Sequence, residues 1–433
     1  MRATQNVYLE ISLAMSNFRT LTECRICGGS FSEENLVLAP TGLANELYVD
    51  QQSALSAERF PLEVVMCEEC KHFQLRHIVN PKRLFSDYIY RSGTSTFFQA
   101  HFESLANRIV KMLESERPKI LEVGSNDGLL LSSLKERGIE AVGIEPSKVL
   151  VEECNSQGLK VIHGFLNAEI VENAKAQWGA FDIVVGNNVF AHIDDLYTAF
   201  LDVYNLLKNN GFFIFEVADF SQIRKKGIFD SIYHEHMSFH TLTGLEVLAR
   251  RSNFTISDFD YVDSHGGSFR FILRKGSNHK RSQNVEDRLQ QELKEGLNLA
   301  NTLGEIRKLI ISKKQKVQNY LDSLEESENF FGYGAPAKAV TFISEMGLHN
   351  IGIKGIIDDN VWKQAKYLPI SGIQILSKDD AIEILSQSIN QAATNFLVFP
   401  WNLGQDLLAK LRIWAPENSK FVCFFPDLEV IKL

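Results

Sequence analysis

The chain has 433 residues, 45% of them hydrophobic and 23% charged, with a net charge of −9. That length suggests two or three domains at roughly 150 residues each, and the composition is ordinary for a globular protein that buries real cores. There is no long basic block to neutralise phosphates, which excludes broad nucleic-acid binding, and no 18-residue apolar run to span a membrane.

The first eighteen residues mix Arg2, Gln5, Asn6 and Glu10 into their apolar positions, unlike a signal peptide. A cytoplasmic location with reduced thiols is therefore expected. Six cysteines are too few for a disulfide scaffold in a chain of this length.

Residues 1–95 carry four of the six cysteines in irregular, turn-rich sequence. From 96 to 277 helical and strand patterns alternate. A helix is expected at 101–114, a buried strand at 119–123, a glycine turn and a helix at 129–137. Strands follow at 141–144, 160–162, 182–185 and 212–217, and a closing pair at 254–261 and 268–273. Alternation of this kind predicts a parallel, doubly wound sheet. Residues 281–326 are polar and helical, with Leu289, Leu293, Leu297, Ile306 and Ile310 spaced for one core-facing side of a linking helix. Strands at 329–333, 353–357, 395–399 and 420–424 predict a second α/β domain within 278–433.

Cys24-x-x-Cys27 and Cys67-x-x-Cys70 are two paired-thiolate knuckles. Zinc takes four tetrahedral ligands, and each such turn presents two sulfurs to one ion. Four cysteines leave no open position, so this zinc is expected to be structural. The 39 residues between the pairs exceed the usual spacing. Cys154 and Cys423 fall in regular runs and read as core residues.

Glu122-Val123-Gly124-Ser125-Asn126-Asp127-Gly128 departs from the dinucleotide pattern and matches the methyltransferase version of the same turn. Glycine lets backbone approach a ligand closely, and the following helix opens its N-terminus toward it. Glu145 ends the next strand, 21 residues after Gly124, where an acid can accept ribose hydroxyls. Asn187, Asn188 and His192 follow a strand whose carboxyl end should face the same crevice. Tyr233-His234-Glu235-His236-Met237-Ser238-Phe239-His240 packs three histidines, a glutamate and a tyrosine into eight residues. Ser238 stands where a metalloprotease helix needs its second histidine, so proton transfer is the better reading. Gly332-Tyr333-Gly334-Ala335-Pro336-Ala337-Lys338 resembles a dinucleotide fingerprint, with Asp358 after the next strand. A lysine at its helix N-terminus suits ligand phosphates.

In order, these landmarks resemble one family: the zinc-containing, S-adenosylmethionine-dependent sugar C-methyltransferases that make branched deoxysugars. Tyr90-Arg91-Ser92-Gly93-Thr94-Ser95, His265-Gly266-Gly267-Ser268 and Trp401-Asn402 join the cysteine set, the two glycine turns and the Tyr233–His236 run in carrying the resemblance. It covers the chain from about Glu23 to the end. Asp358-Asp359-Asn360 is a looser match to the family's Asp-Arg-Asn.

The resemblance implies three parts: a zinc-binding domain over 1–95, a Rossmann-like class I methyltransferase domain over 96–277, and a helical linker with a C-terminal Rossmann-like domain over 278–433. It implies Zn2+ and S-adenosyl-L-methionine as cofactors. Its substrates are nucleotide-linked 4-keto-6-deoxysugars, on dTDP or GDP, methylated at C3 or in some relatives at C5. His236 becomes the base and Tyr233 an enolate donor, supported by Glu235 and His192. Tyr90, Glu122, Gly124, Ser125, Asn126, Glu145, Pro146 and Asn187 become cofactor contacts. Asn188, His265 and Lys338 become substrate contacts. The sequence alone does not choose His236 over His234 or His240. A monomer without nucleic-acid or membrane partners is expected. The rivals are a nicotinamide-dependent oxidoreductase using the Gly332 turn and a non-enzymatic zinc-binding adaptor.

Overall fold

The computed structural model describes residues 17–85, 96–264, 266–387 and 393–433. Tyr90 and His265 lie outside them.

The N-terminal part is more regular than its sequence suggests. It holds β1 (Phe18–Thr20), β2 (Phe31–Thr41), β3 (Phe60–Cys67), β4 (Phe73–Leu75) and β5 (His77–Val79). Alternation builds this sheet: Phe60, Leu62, Val64 and Met66 of β3 all point into one core with Leu36 and Leu38 of β2. β1 pairs with β5, and β2, β3 and β4 form an antiparallel sheet.

The middle of the chain supplies β6 (Lys119–Val123), β7 (Glu140–Glu145), β8 (Val161–His163), β9 (Phe181–Asn187), β10 (Leu207–Ala218), β11 (Ser238–Phe239), β12 (Phe254–Val262) and β13 (Ser268–Lys275). Seven of these form one sheet of order β12-β13-β10-β9-β6-β7-β8. Its core is parallel, as expected, but β13 runs antiparallel to both β10 and β12. The short connection between β12 and β13 permits only a hairpin, because a parallel pair needs a crossover. The chain leaves β6 toward β7 and β8, then returns to β9 on the other side of β6. That reversal opens a crevice at the carboxyl ends of β6 and β9. β11 does not join this sheet. It pairs with β4, so the N-terminal sheet has the order β11-β4-β3-β2.

The C-terminal part holds β14 (Asn329–Tyr333), β15 (Ile356–Ile357), β16 (Ile375–Leu376), β17 (Thr394–Val398), β18 (Lys420–Cys423) and β19 (Glu429–Lys432). Their order is β16-β15-β14-β17-β18-β19, parallel except for β19. The expected linker is two helices, Gln283–Lys294 and Asn301–Asp322, with the break around Gly296. Leu297, Ile306 and Ile310 are buried as expected, but Leu293 is 51% exposed. The break resets the helical phase, so one stripe cannot cover both segments. Ile306 and Ile310 share a core with the N-terminal sheet and with Val340 and Phe342 of the C-terminal part. Cys154 and Cys423 are buried. Among the described residues no helix is long and apolar enough to cross a membrane.

Candidate active site and zinc centre

The sulfurs of Cys24, Cys27, Cys67 and Cys70 all lie within 4.8 Å of one another. Cys24 and Cys70 approach to 3.6 Å, and Cys27 and Cys67 to 3.4 Å. Tetrahedral zinc with sulfur at about 2.3 Å sets a sulfur–sulfur edge of roughly 3.8 Å, so the set fits the ion. Backbone N–H groups of Ile26, Gly29 and Cys70 donate to sulfurs, as thiolates require. Four crowded sulfurs cannot all ionise without a cation. Hydrogen bonding from Cys24 holds the Cys67 thiol down, while the Cys24 thiol is pushed up to about 12.

At the crevice, Gly124 takes φ 68° and donates its N–H to the Ile144 carbonyl at 2.8 Å. A Cβ there would lie 2.4 Å from Val189, so the turn needs glycine for space as well as for φ. Glu145 accepts from the Asn126 N–H at 2.9 Å and from the Ser147 N–H at 2.9 Å. Pro146 lies between these partners, and its carbonyl meets His163 Nε2 at 3.0 Å. Glu122 is 2% exposed, and burial pushes its carboxyl well above the usual range, with the charges of Asp127 and Glu145 adding. Its Oε2 and the Ser125 hydroxyl are buried without hydrogen bonds, and the buried Asn187 amide, near enough to Glu122 to favour its charge slightly, makes no bond of good geometry. A buried polar atom left unmade is costly. Such a row, beside a glycine cradle, fits a ligand that carries positive charge and several donors, as S-adenosylmethionine does. Asn188 turns the chain at φ 54° and donates its N–H to the Glu216 carbonyl at 2.8 Å.

The structure separates the three histidines of the 234–240 run. His234 and His240 are each 1% exposed, and each points Nε2 at a backbone carbonyl, of Pro61 and Phe190 respectively, at 3.2 Å. Burial pulls both down to about 4, so both are neutral near pH 7. His236 is only half-buried. Its Nδ1 donates to the Ser231 carbonyl at 2.6 Å. A carbonyl can only accept, so in the neutral ring Nε2 is the basic nitrogen. Tyr233 packs on this ring at 4.0 Å between centroids, and His192 stacks on it at 5.1 Å. Phe85 also stacks on His192, at 5.6 Å between centroids. Glu235 is buried and accepts from Asn45 at 2.7 Å.

In the C-terminal part, Gly334 takes φ 79° and donates to the Ile357 carbonyl at 2.7 Å. Asp358 accepts from the Ala335 and Asn360 N–H groups at 2.7 and 2.8 Å. Lys338 opens the helix Lys338–Met346, donates to Asn402 at 2.8 Å and lies over the Trp401 ring at 4.3 Å. The Trp401 N–H reaches the buried Asp230 carboxylate at 2.8 Å. Asp230 immediately precedes Ser231, the residue that orients His236. The Gly332 turn and the histidine run, far apart in sequence, thus meet at one place. Asp230 carried no signal in the sequence, since a lone aspartate before a serine is unremarkable.

A C-methyltransferase C-terminal domain matches residues 263–426, a methyltransferase domain matches 98–258 and a zinc binding domain matches 24–85. C-methyltransferase NovU of Streptomyces niveus is 28% identical over 416 residues, 95% of this chain and 97% of that protein. Together the three matches run along residues 24–426, so the chain is similar to zinc-binding C-methyltransferases over nearly its whole length. It is an enzyme that uses S-adenosylmethionine and carries structural zinc on its four clustered cysteines. A ubiquinone biosynthesis O-methyltransferase of Methylococcus capsulatus is 32% identical over 123 residues, 28% of this chain and 42% of that protein. A solved magnesium protoporphyrin IX methyltransferase of Synechocystis with bound SAH is 15% identical. It covers 41% of this chain and 83% of that one at a TM-score of 0.33.

Proposed function

We propose that this C-methyltransferase methylates C3 of a nucleotide-linked 4-keto-6-deoxyhexose, with His236 as the base. On this reading the chain divides into a zinc domain over 1–95, a methyltransferase domain over 96–277 and a linker with a sugar-nucleotide domain over 278–433. The observation that carries it is the hydrogen bond from His236 Nδ1 to Ser231, which leaves Nε2 basic in the one histidine of the run that is not sealed in the core.

A C–H bond next to a ketone is acidic because the carbanion delocalises onto oxygen. His236 Nε2 takes that proton, and Tyr233, packed on the same ring, donates to the enolate oxygen. The Ser231 carbonyl and the stacked His192 hold the imidazole in place. Glu122, Ser125, Glu145 and Asn187 hold the methyl donor, and S-adenosylmethionine when bound supplies the electrophilic methyl. Asn188 and Lys338 meet the sugar nucleotide, Lys338 through its phosphates.

Incubation with S-adenosylmethionine and a panel of dTDP- and GDP-linked 4-keto-6-deoxysugars should give a 14-dalton mass gain. Without the methyl donor, deuterium washed in from solvent should appear at C3 of the ketosugar. Washing-in at C5 alone would reassign the carbon, and no mass gain with any sugar would reject the substrate class.

A further inference from the structure

Arg25 sits inside the first zinc knuckle, between Cys24 and Cys27. Its side chain is 5% exposed. All five of its guanidinium N–H donors find acceptors. Nε donates to Gln74 Oε1 at 3.1 Å. Nη1 donates to the carbonyls of Ile193 and Asp194 at 3.2 and 2.7 Å. Nη2 donates to the Met237 carbonyl at 2.5 Å and to the Ser238 hydroxyl at 2.8 Å. The acceptors on Nη1 directly follow His192, and those on Nη2 directly follow His236. Asp194 also brings its carboxylate to 3.7 Å from Nη1.

A buried guanidinium is costly unless every donor is met and a counter-charge is near. Here the cost is offset by four contacts that lead to two loops and a fifth, to Gln74 of β4, that steadies the fork. The anchor is stiff: Cys24 N–H donates to Gly29, Gly28 N–H to Cys24, and the sulfurs converge on one point. The planar fork fixes the separation of the two loops in a way a lysine's single ammonium cannot. The loops touch directly as well, through Ser238 N–H on the Ala191 carbonyl at 3.0 Å. That bond sets one edge of the contact, and Arg25 sets the other.

We propose that Arg25 is a positioning residue, a strut by which the zinc knuckle sets the spacing of the His192 and His236 rings. For its effect on turnover the proposal rests on the catalytic reading of those histidines given above. It makes the zinc domain part of the site's geometry and not a separate stabilising module.

The test uses the full-length zinc-loaded protein with 15N-labelled histidine. In Arg25→Lys and Arg25→Gln, metal analysis should still show zinc, and calorimetry should show unchanged S-adenosylmethionine affinity. The ring resonances of His192 and His236 should move, while that of the exposed His349 stays. Turnover should fall by about 10²-fold, the scale of an ångström-sized misplacement, with little change in KM and with a shifted acid limb in the pH profile of kcat. As a second measurement that needs no variant, wild-type protein is loaded with cadmium, a larger ion for the same thiolates. The same two rings should move. Rings that stay put in the folded variants, or under cadmium where no variant folds, would overturn the strut. Moved rings with undiminished turnover would uphold the strut and reject the base assignment instead.

Discussion

Gly124 and Gly334 each close a central strand in the left-handed region and donate to the carbonyl of the neighbouring strand. In each turn the acid after that strand, Glu145 or Asp358, accepts two backbone N–H groups, one from the turn and one from its own loop. Each glycine is walled by a side chain 2.4 Å from where its Cβ would be, Val189 in one case and Pro400 in the other. What differs is charge. Two residues before the glycine stands Glu122 in the first turn and Gly332 in the second. The first turn gathers Glu122, Asp127 and Glu145. In the second, Lys363 lies 3.9 Å from Asp358 and donates to the Ala335 carbonyl, and Lys338 opens the following helix. The two turns share a backbone plan and differ in the charges set around it. An acidic cradle suits a sulfonium and an ammonium, and a basic one suits phosphates.

His236 stacks on His192 and bonds to Ser231, and belongs to neither cradle, so the largest effect should come there with neither cradle disturbed. His236→Asn should lower methylation by ~10²–10⁴, the range for a lost general base, while calorimetry finds both ligands bound as before. Solvent exchange of the C3 proton should fall in parallel without cofactor. Rapid exchange in this variant, with its loss in His234→Asn or His240→Asn, would reassign the base.

The cradles themselves should dissociate cleanly. Glu145→Ala removes a charged acceptor, worth ~1.5–3 kcal/mol of S-adenosylmethionine binding, and should leave the KM for the sugar nucleotide alone. Lys338→Ala should raise that KM and leave cofactor affinity alone. If the two substitutions had the same effect, or crossed effects, the charge distinction would be wrong.

The smallest effect concerns Glu122 and pH. Burial raises its carboxyl above the ordinary 4.5, so the unfolded chain releases this proton at lower pH than the folded one. The group's contribution to stability is present below about 4.5 and is lost as pH rises through the folded value. Ligand-free Glu122→Gln should therefore have a higher Tm than the parent at pH 7, with the gap closing toward pH 4, and weaker S-adenosylmethionine binding. A gap independent of pH would show that Glu122 is not the titrating group.

The knuckles, the Glu122 turn and the offset to Glu145 were legible because each is local: a fixed spacing carries its own geometry. So were most strands of the two parallel cores, which are short apolar runs between turn residues. The zinc region looked irregular because its cysteine turns hide the alternation of β3. Leu293 misled because a face extrapolated across Gly296 assumes one continuous helix. Arg25 was illegible for a different reason. Four of its contacts are to residues 168 to 213 positions away, and three of those acceptors are backbone carbonyls, which every residue has. Which of the three histidines escapes full burial is likewise a matter of tertiary packing, which their spacing does not encode.

The pairing of β11 with β4 has a consequence for how the enzyme can be built and cut. Ser238 faces Gln74 across 164 residues of chain. The strand that follows His236 therefore takes its last hydrogen bonds from a sheet made near the N-terminus. On the ribosome that sheet emerges first and waits as a template. A methyltransferase domain expressed alone would present β11 as a bare edge beside the His236 loop, and transplanting this segment into another scaffold would require the zinc-bearing sheet to travel with it.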